Sequence, residues 1–301
     1  MTLVDVINLF DADDKCRELL VRLRWPNGVE CLRCKAPVVE LATAKQLFYC
    51  KDCDYQFSVT ASTIFNDSHL PLQKWFLATL LLCEARKGMS ANQIKRTLGV
   101  SYKTAWYLCH RIRAAMKQVD QPMLDGTVEM DETYIGGKQK GKGVRFGKNQ
   151  KEVVIGIRQR GGDLRFFHAE DAKSGTLAKY IKENVSADVD VIVTDELTGY
   201  PSAMIEAGFH KRKHETVNHK AKEYVRYEAG DCITTNTVES AFSLLKRGII
   251  GSWHKISAKH LQAYLDEMTF RFDRRKRSDL FIDTLRHMVT APVLTFEKLT
   301  A

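Results

Sequence analysis

Three acidic residues stand where regular structure begins or ends. They are Asp131 in VEMDETYIGG, Asp195 in DVIVTDELTGY and Glu239 in TNTVESAFSLLKRG. Carboxylates on three separated elements suit a shared metal site. Phosphodiester chemistry with two metals needs acidic oxygens holding cations about 3.5 to 4 Å apart, one activating the attacking hydroxyl and one stabilising the leaving oxygen. Carboxylates so close repel one another, so their convergence demands cations. Each has a plainer reading. Asp131 and Asp195 could stabilise turns, and Asn236-x-x-Glu239 matches a capping box in which Asn236 caps a helix and Glu239 folds back on its first turn. Lys246 follows Glu239 by two helical turns, so both lie on nearly one face, beside an apolar stripe of Val238, Ala241, Phe242, Leu245 and Ile249. A polar face running from a carboxylate to Lys246 and Arg247 can hold metal at one end and phosphate at the other.

A second chemistry is carried by cysteine. Of eight cysteines, four form two C-x2-C pairs, CLRC (Cys31, Cys34) and CKDC (Cys50, Cys53), while Cys16, Cys83, Cys109 and Cys232 are scattered. Two tight turns bearing such pairs bring four thiolates into a tetrahedron that suits Zn2+. Few apolar residues lie here to form a core, and structural zinc contributes about 10 to 16 kcal/mol in small modules. A rubredoxin-like iron site or a redox pair shares the spacing, but no redox machinery lies nearby. The pattern is metal ligation plus reduced core thiols, not a disulfide framework. His210, His214 and His219 form a third cluster, in a Lys- and Arg-rich run that disfavours a bound cation.

The positioning elements follow from periodicity. Val128 and Met130 alternate with Glu129 and Asp131, as on a strand with one buried face that Gly136-Gly137 ends. Strands are predicted at 127–135, 152–158 and 164–169, then a helix at 176–184 with Ser174 as its cap, a strand at 189–194 and a helix near 201–207. Three strands followed by alternating helix and strand and then C-terminal helices is the order of a ribonuclease H-like α/β domain, in which the first and fourth strands can lie side by side. This domain is expected over 125–290. Ahead of it come a helical lead-in (1–30), a zinc ribbon (31–60) and a helical region (70–120). In the last, Leu72, Trp75, Phe76, Leu80 and Cys83 share a face, and Ser90 and Ser101 cap two further helices separated by Gly99-Val100. The spacing is that of a helix-turn-helix, whose third helix would offer Lys103, Tyr107, His110 and Arg111 to a major groove. A helical hairpin with a solvated basic face explains it equally. The run 138–151 holds six basic residues and no acid, among them Lys138, Lys140 and Lys142, as a phosphate-contacting loop or a solvated hairpin would.

At 301 residues and 44% hydrophobic content, the chain can bury a sizeable core in about two domains. A formal charge of +9, concentrated in runs, favours a polyanionic partner over an acidic small molecule. No apolar run approaches the roughly 20 residues of a membrane span, and the N-terminus lacks the pattern of a secretion signal. The expected location is cytoplasmic.

Together these segments resemble the insertion sequence 1595 (ISXO-like) family of DDE transposases, bacterial enzymes with a zinc ribbon ahead of a ribonuclease H-like domain. The motifs are RWPNGVECLRC with YCKDC and QFSVTASTIF, then LPLQKWFLATLL, MDETYIGGK, TDELTGY, TVNH, TNTVESAFSLLKRGIIGSWHKIS and KHLQAYLDEMTFRF, in this order over nearly the whole chain. The resemblance implies binding of double-stranded DNA at transposon ends, cleavage by water and attack of the freed 3′ hydroxyl on target DNA, with Mg2+ or Mn2+. By position it makes Asp131, Asp195 and Glu239 the metal-binding triad and Lys246 the basic residue after it, with a homo-oligomer on the bacterial nucleoid. Some members of the family carry Asn in place of the third acid, which brings in Asn236; the spacing to Lys246 and the better ligation by a carboxylate favour Glu239. Two other functions share these features: a DNA-binding regulator with an inactive transposase-like domain, and a structure-specific nuclease.

Overall fold

A computed structural model describes residues 1–40, 47–136, 151–209, 213–218, 221, 223–228 and 231–301. They separate into two units, Met1–Lys117 with Arg274–Ala301, and Gln118–Asp273. The first unit begins with α1 (Leu3–Leu9) and α2 (Asp13–Arg24). Thr2 and Asp5 close a reciprocal capping box on α1. Three short antiparallel strands follow in spatial order, β1 (Val39–Glu40), β2 (Phe48–Cys50) and β3 (Tyr55–Phe57). Their small core of Phe48, Phe57 and the buried Cys31 and Cys50 packs against Trp25. Then come α3 (Leu72–Glu84), α4 (Ala91–Leu98) and α5 (Tyr102–Met116). Ser90 and Ser101 cap α4 and α5 as the sequence predicts, each accepting from a backbone N–H at 3.1 Å. Gly99 ends α4 at φ 62°, where a side chain would be strained.

The second unit is built on a five-stranded sheet. Its elements are β4 (Thr127–Ile135), β5 (Glu152–Gln159), β6 (Leu164–Ala169), α6 (Ser174–Asn184), β7 (Val191–Asp195), α7 (Gly199–Glu206) and β8 (His214–Val217). A two-stranded ribbon of β9 (Arg226–Glu228) and β10 (Asp231–Ile233) leads to α8 (Asn236–Gly248), a π-helical turn (Ile249–Trp253) and α9 (Ala258–Asp273). The spatial order is β6-β5-β4-β7-β8. β4 is antiparallel to β5 and parallel to β7, and β7 is parallel to β8. This is the ribonuclease H-like arrangement, with the first strand at its centre. α6 has Lys173 at its N-cap and Ser174 already inside the helix, so Ser174 is not its cap.

Alternation along β4 gives the sheet two cores. Val128 and Met130 face Leu177, Ile181, Tyr200 and Met204 of α6 and α7. The opposite face carries Val154 and Phe166 against Val238, Phe242 and Leu245 of α8, with Leu261 and Leu265 of α9. Gly156 of β5, directly across from Asp131, permits this packing. A Cβ there would lie 2.7 Å from the Phe242 ring and 3.0 Å from Val238, so α8 rests on bare backbone beside the acidic residue.

The chain then returns to the first unit as α10 (Leu280–Thr290) and α11 (Phe296–Thr300). Residues 274–290, expected within the 125–290 domain, therefore fold with the N-terminal helices. The reason is α3, which is apolar on several sides and needs more cover than α4 and α5 supply. Phe281 packs edge-on to Phe76 at 5.9 Å, and Met288 and Thr284 reach Thr79 and Cys83. Among the described residues no helix is long and apolar enough to cross a membrane. Gly156→Ala should cost about 1 to 3 kcal/mol through overpacking, read as a lowered urea midpoint with unchanged slope.

Candidate active site and zinc ribbon

The register of β4 and β7 sets the acidic site. Glu129 is paired with Val193 in parallel strands, so two residues further on stand Asp131, midway along β4, and Asp195, at the carboxyl end of β7, side by side. Here the sheet order reverses, with β5 and β6 on one side of β4 and β7 and β8 on the other, and such switch points leave a crevice at the strand ends. The ligand oxygens of Asp131, Glu132 and Asp195 lie within 4.8 Å of one another. All three residues are partly buried. Burial, then the charges of Glu132 and Asp195, push the Asp131 carboxyl up to about 8, although the Glu132 backbone N–H donates to it at 2.8 Å. Burial, then Asp195, likewise raise Glu132, while the buried Tyr200 hydroxyl donates to its Oε2 at 3.0 Å.

Glu239 approaches from the first turn of α8. It lies outside the 4.8 Å group, yet its charge contributes to raising Asp131. The capping-box reading of its segment does not hold. Thr235, not Asn236, is the N-cap, and its side chain makes no capping bond. The Thr235 hydroxyl instead donates to Glu239 Oε1 at 2.9 Å. The first-turn N–H groups are taken by Glu129, whose carboxylate is fully buried. Its Oε2 accepts from Thr237 N (2.9 Å), Thr237 Oγ1 (2.7 Å) and Val238 N (3.1 Å). Its Oε1 accepts from Arg160 Nε and Nη2, each at 3.0 Å. Arg160 also donates to the carbonyls of Cys232 and Thr234, in the segment entering α8. Lys246 and Arg247 are exposed at the far end of that helix.

Glu132, Glu129 and Arg160 are absent from the sequence-derived site. Strand alternation sends Glu132 to the opposite face from Asp131, but past the end of β7 side chains from both faces can meet over the edge. For Glu129 the signal was legible: a charge alternating with Val128 and Met130 on a central strand must be buried and therefore paired.

The four cysteines meet as the spacing predicts. Their sulfurs lie within 4.8 Å of one another, with Cys31 Sγ to Cys53 Sγ at 3.5 Å and Cys34 Sγ to Cys50 Sγ at 3.4 Å. A tetrahedron of Zn–S bonds near 2.3 Å has edges of about 3.8 Å, so the donor set fits Zn2+ with little adjustment. Burial opposes charge on Cys31, but the N–H groups of Cys34 and Arg33 outweigh it and bring its thiol down to about 6. His214 lies on β8 and shares a hydrogen bond with Thr194 Oγ1 at 2.9 Å, apart from both clusters. His210 and His219 fall outside the described residues, as do Lys138, Lys140 and Lys142.

The third helix of the 70–120 region corrects the expected outer face. Lys103 is exposed, its Nζ 4.5 Å from the Phe296 ring centre. Tyr107 is half-buried and donates to the Leu294 carbonyl at 2.6 Å. His110 and Arg111 are buried, and Arg111 stacks on Trp75 and Tyr107 and donates to the Asn66 carbonyl. The segment reaching α11 covers this face. The exposed polar groups lie instead on α4 and the start of α5, including Lys95, Arg96, Tyr102 and Lys103.

A ribonuclease H-like sheet with acids at its switch point, in a chain that also carries a four-cysteine ribbon, defines a zinc-ribbon transposase of the DDE class. Residues 123–273 match the ISXO2-like transposase domain and residues 11–56 the transposase zinc-ribbon domain. The chain belongs to this insertion sequence 1595 family. It is 30% identical over 290 residues to an uncharacterized protein in transposable element ISH50 of Halobacterium salinarum, covering 88% of this chain and 92% of that protein. Two solved structures also match. A pre-cleavage Mos1 transpososome is 11% identical over 71% of this chain and 75% of that one, with a TM-score of 0.25. The Drosophila P element transposase strand transfer complex is 12% identical over 80% and 66%, with a TM-score of 0.28. Scores this low do not define a shared fold; strand order and the family match carry the assignment.

Two outcomes follow from the clusters. Without added divalent cation, the folded state holds a proton on Asp131 up to about 8, whereas its free value is 3.8. Stability should therefore fall as pH rises between those values, and Asp131→Asn should flatten the slope measured by urea unfolding. Purified protein should carry one zinc per chain by mass spectrometry of metals, and Cys50→Ser should lose it together with the fold of the ribbon.

Proposed function

We propose that this protein is a DNA transposase that binds the ends of its insertion sequence, cleaves there with water and joins the freed 3′ hydroxyl to target DNA. The observation that carries the reading is the placement of Asp131 and Asp195 side by side at the sheet's switch point, with Glu132 among them and Glu239 facing them from α8. The donors are hard carboxylate oxygens under mutual repulsion, which fits Mg2+ or Mn2+. Bound there, such ions would neutralise the phosphate and favour ionisation of the attacking hydroxyl. In the first step water attacks phosphorus, the bond to the 3′ oxygen breaks and a 3′ hydroxyl is released. In the second that hydroxyl attacks a target phosphodiester and displaces another 3′ oxygen, so one bond forms for each broken.

The protein's own groups prepare both steps. Tyr200 orients Glu132 and Thr235 orients Glu239. Lys246 and Arg247 hold the phosphate backbone, assisted by the basic run containing Lys138, Lys140 and Lys142. The ribbon, closed by Zn2+ on Cys31, Cys34, Cys50 and Cys53, and the exposed groups from α4 to Lys103 recognise the element's end. Two ends must be brought together, so the active form is an oligomer on DNA, in the bacterial cytoplasm.

The test is incubation of purified protein with labelled DNA carrying the boundaries of its own element, with Mg2+ or EDTA, and separation on a denaturing gel. Metal-dependent nicking at the boundary is expected, abolished in Asp131→Ala and Glu239→Ala with end binding retained. Specific binding without cleavage in any divalent metal would make the protein a regulator, and equal loss of binding and cleavage in Asp131→Ala would make Asp131 structural.

A further inference from the structure

We propose that Glu129 and Arg160 are positioning residues that set Glu239 against Asp131, so that metal affinity depends on an ion pair that never touches the metal. The proposal rests on the reading of the acidic site as a divalent-metal centre. Glu129 stands two residues before Asp131 on the same side of β4, which places the two Cα atoms about 6 to 7 Å apart. Its three bonds to Thr237 and Val238 join that strand to the first turn of the helix carrying Glu239.

A helix start is ordinarily satisfied by its own N-cap side chain. Here the Thr235 hydroxyl is committed to Glu239 instead, so the N–H groups of residues 237 and 238 take an acceptor from another element. That acceptor is a fully buried carboxylate two residues from Asp131, a costly choice if capping were its only purpose. Arg160 offsets the charge with two donors and fixes the entering segment through the Cys232 and Thr234 carbonyls. Arg158 Nη1 adds a bond to the Thr237 carbonyl at 2.6 Å. Donors from β5 and its following turn, with the Glu129 carboxylate on β4, thus hold one helix terminus and define where Glu239 points.

The experiment measures Mn2+ binding to the zinc-loaded full chain by electron paramagnetic resonance, with no turnover required. Glu129→Ala should weaken Mn2+ binding about tenfold, in line with the effect of groups that orient metal ligands, and Glu129→Gln about threefold, since its amide oxygen still accepts from α8. In a Glu239→Ala background the further change from Glu129→Ala should vanish. A lowered melting temperature with unchanged Mn2+ affinity would reduce Glu129 to a structural cap and overturn the proposal, as would an equal loss in the Glu239→Ala background. Should Glu129→Ala not fold, Glu129→Gln and Arg160→Lys supply the same comparison. Failure of the wild-type chain to bind Mn2+ would instead bring down the metal-centre reading itself.

Discussion

The mutual repulsion of carboxylates brought to one end of a sheet is the constraint around which the second unit is organised. Parallel pairing of β4 with β7 makes Asp131 and Asp195 neighbours, and backbone hydrogen bonding leaves them little freedom to separate. The sheet and its two cores must hold this unfavourable arrangement together. Val128, Met130 and Ile192 anchor the paired strands from one side, while Val154 and Phe166 receive α8 on the other. Burial concentrates the charge further, and the raised Asp131 carboxyl records the cost. Strain of this kind is tolerated in a folded protein when something else is to bind and relieve it.

The same strand solves a second problem. α8 must bring Glu239 close, and a helix terminus brings unsatisfied N–H groups with it. Glu129 meets those groups from below, and Gly156 removes the side chain that would hold the helix off. Close approach and correct orientation therefore come from different residues. Gly156 controls how near the helix comes, and the Glu129–Arg160 pair controls how it is turned.

Much of this is legible in the sequence, for identifiable reasons. Period-two alternation in Val128 to Asp131 located the central strand, because one residue's shift would have exchanged core for crevice. The two C-x2-C pairs located the sulfur cluster because ligand geometry tightly limits spacing. Ser90 and Ser101 marked helix starts by their local hydrogen bonds. Less legible were features that depend on distant partners. Glu132 joins the acidic group only because β7 ends beside it. Tyr107 and Arg111 read as an exposed face, but Leu294, nearly two hundred positions later, takes the Tyr107 hydroxyl, and Arg111 stacks on Trp75 and bonds the Asn66 carbonyl, well before it in the chain. The Asn236–Glu239 pattern failed for the opposite reason: a local motif was pre-empted by Glu129, more than a hundred positions earlier.

The return of the chain to its first unit has a consequence for biosynthesis. Thr79 of α3 waits for Met288, 209 positions downstream, before that part of its surface is covered. At ribosomal speeds of about 5 to 20 residues per second, this leaves apolar helix surface open for about 10 to 40 s. The intervening sheet unit can close as soon as α9 emerges. The portion made first is therefore the last to be finished, and its apolar surface stays open longest during translation.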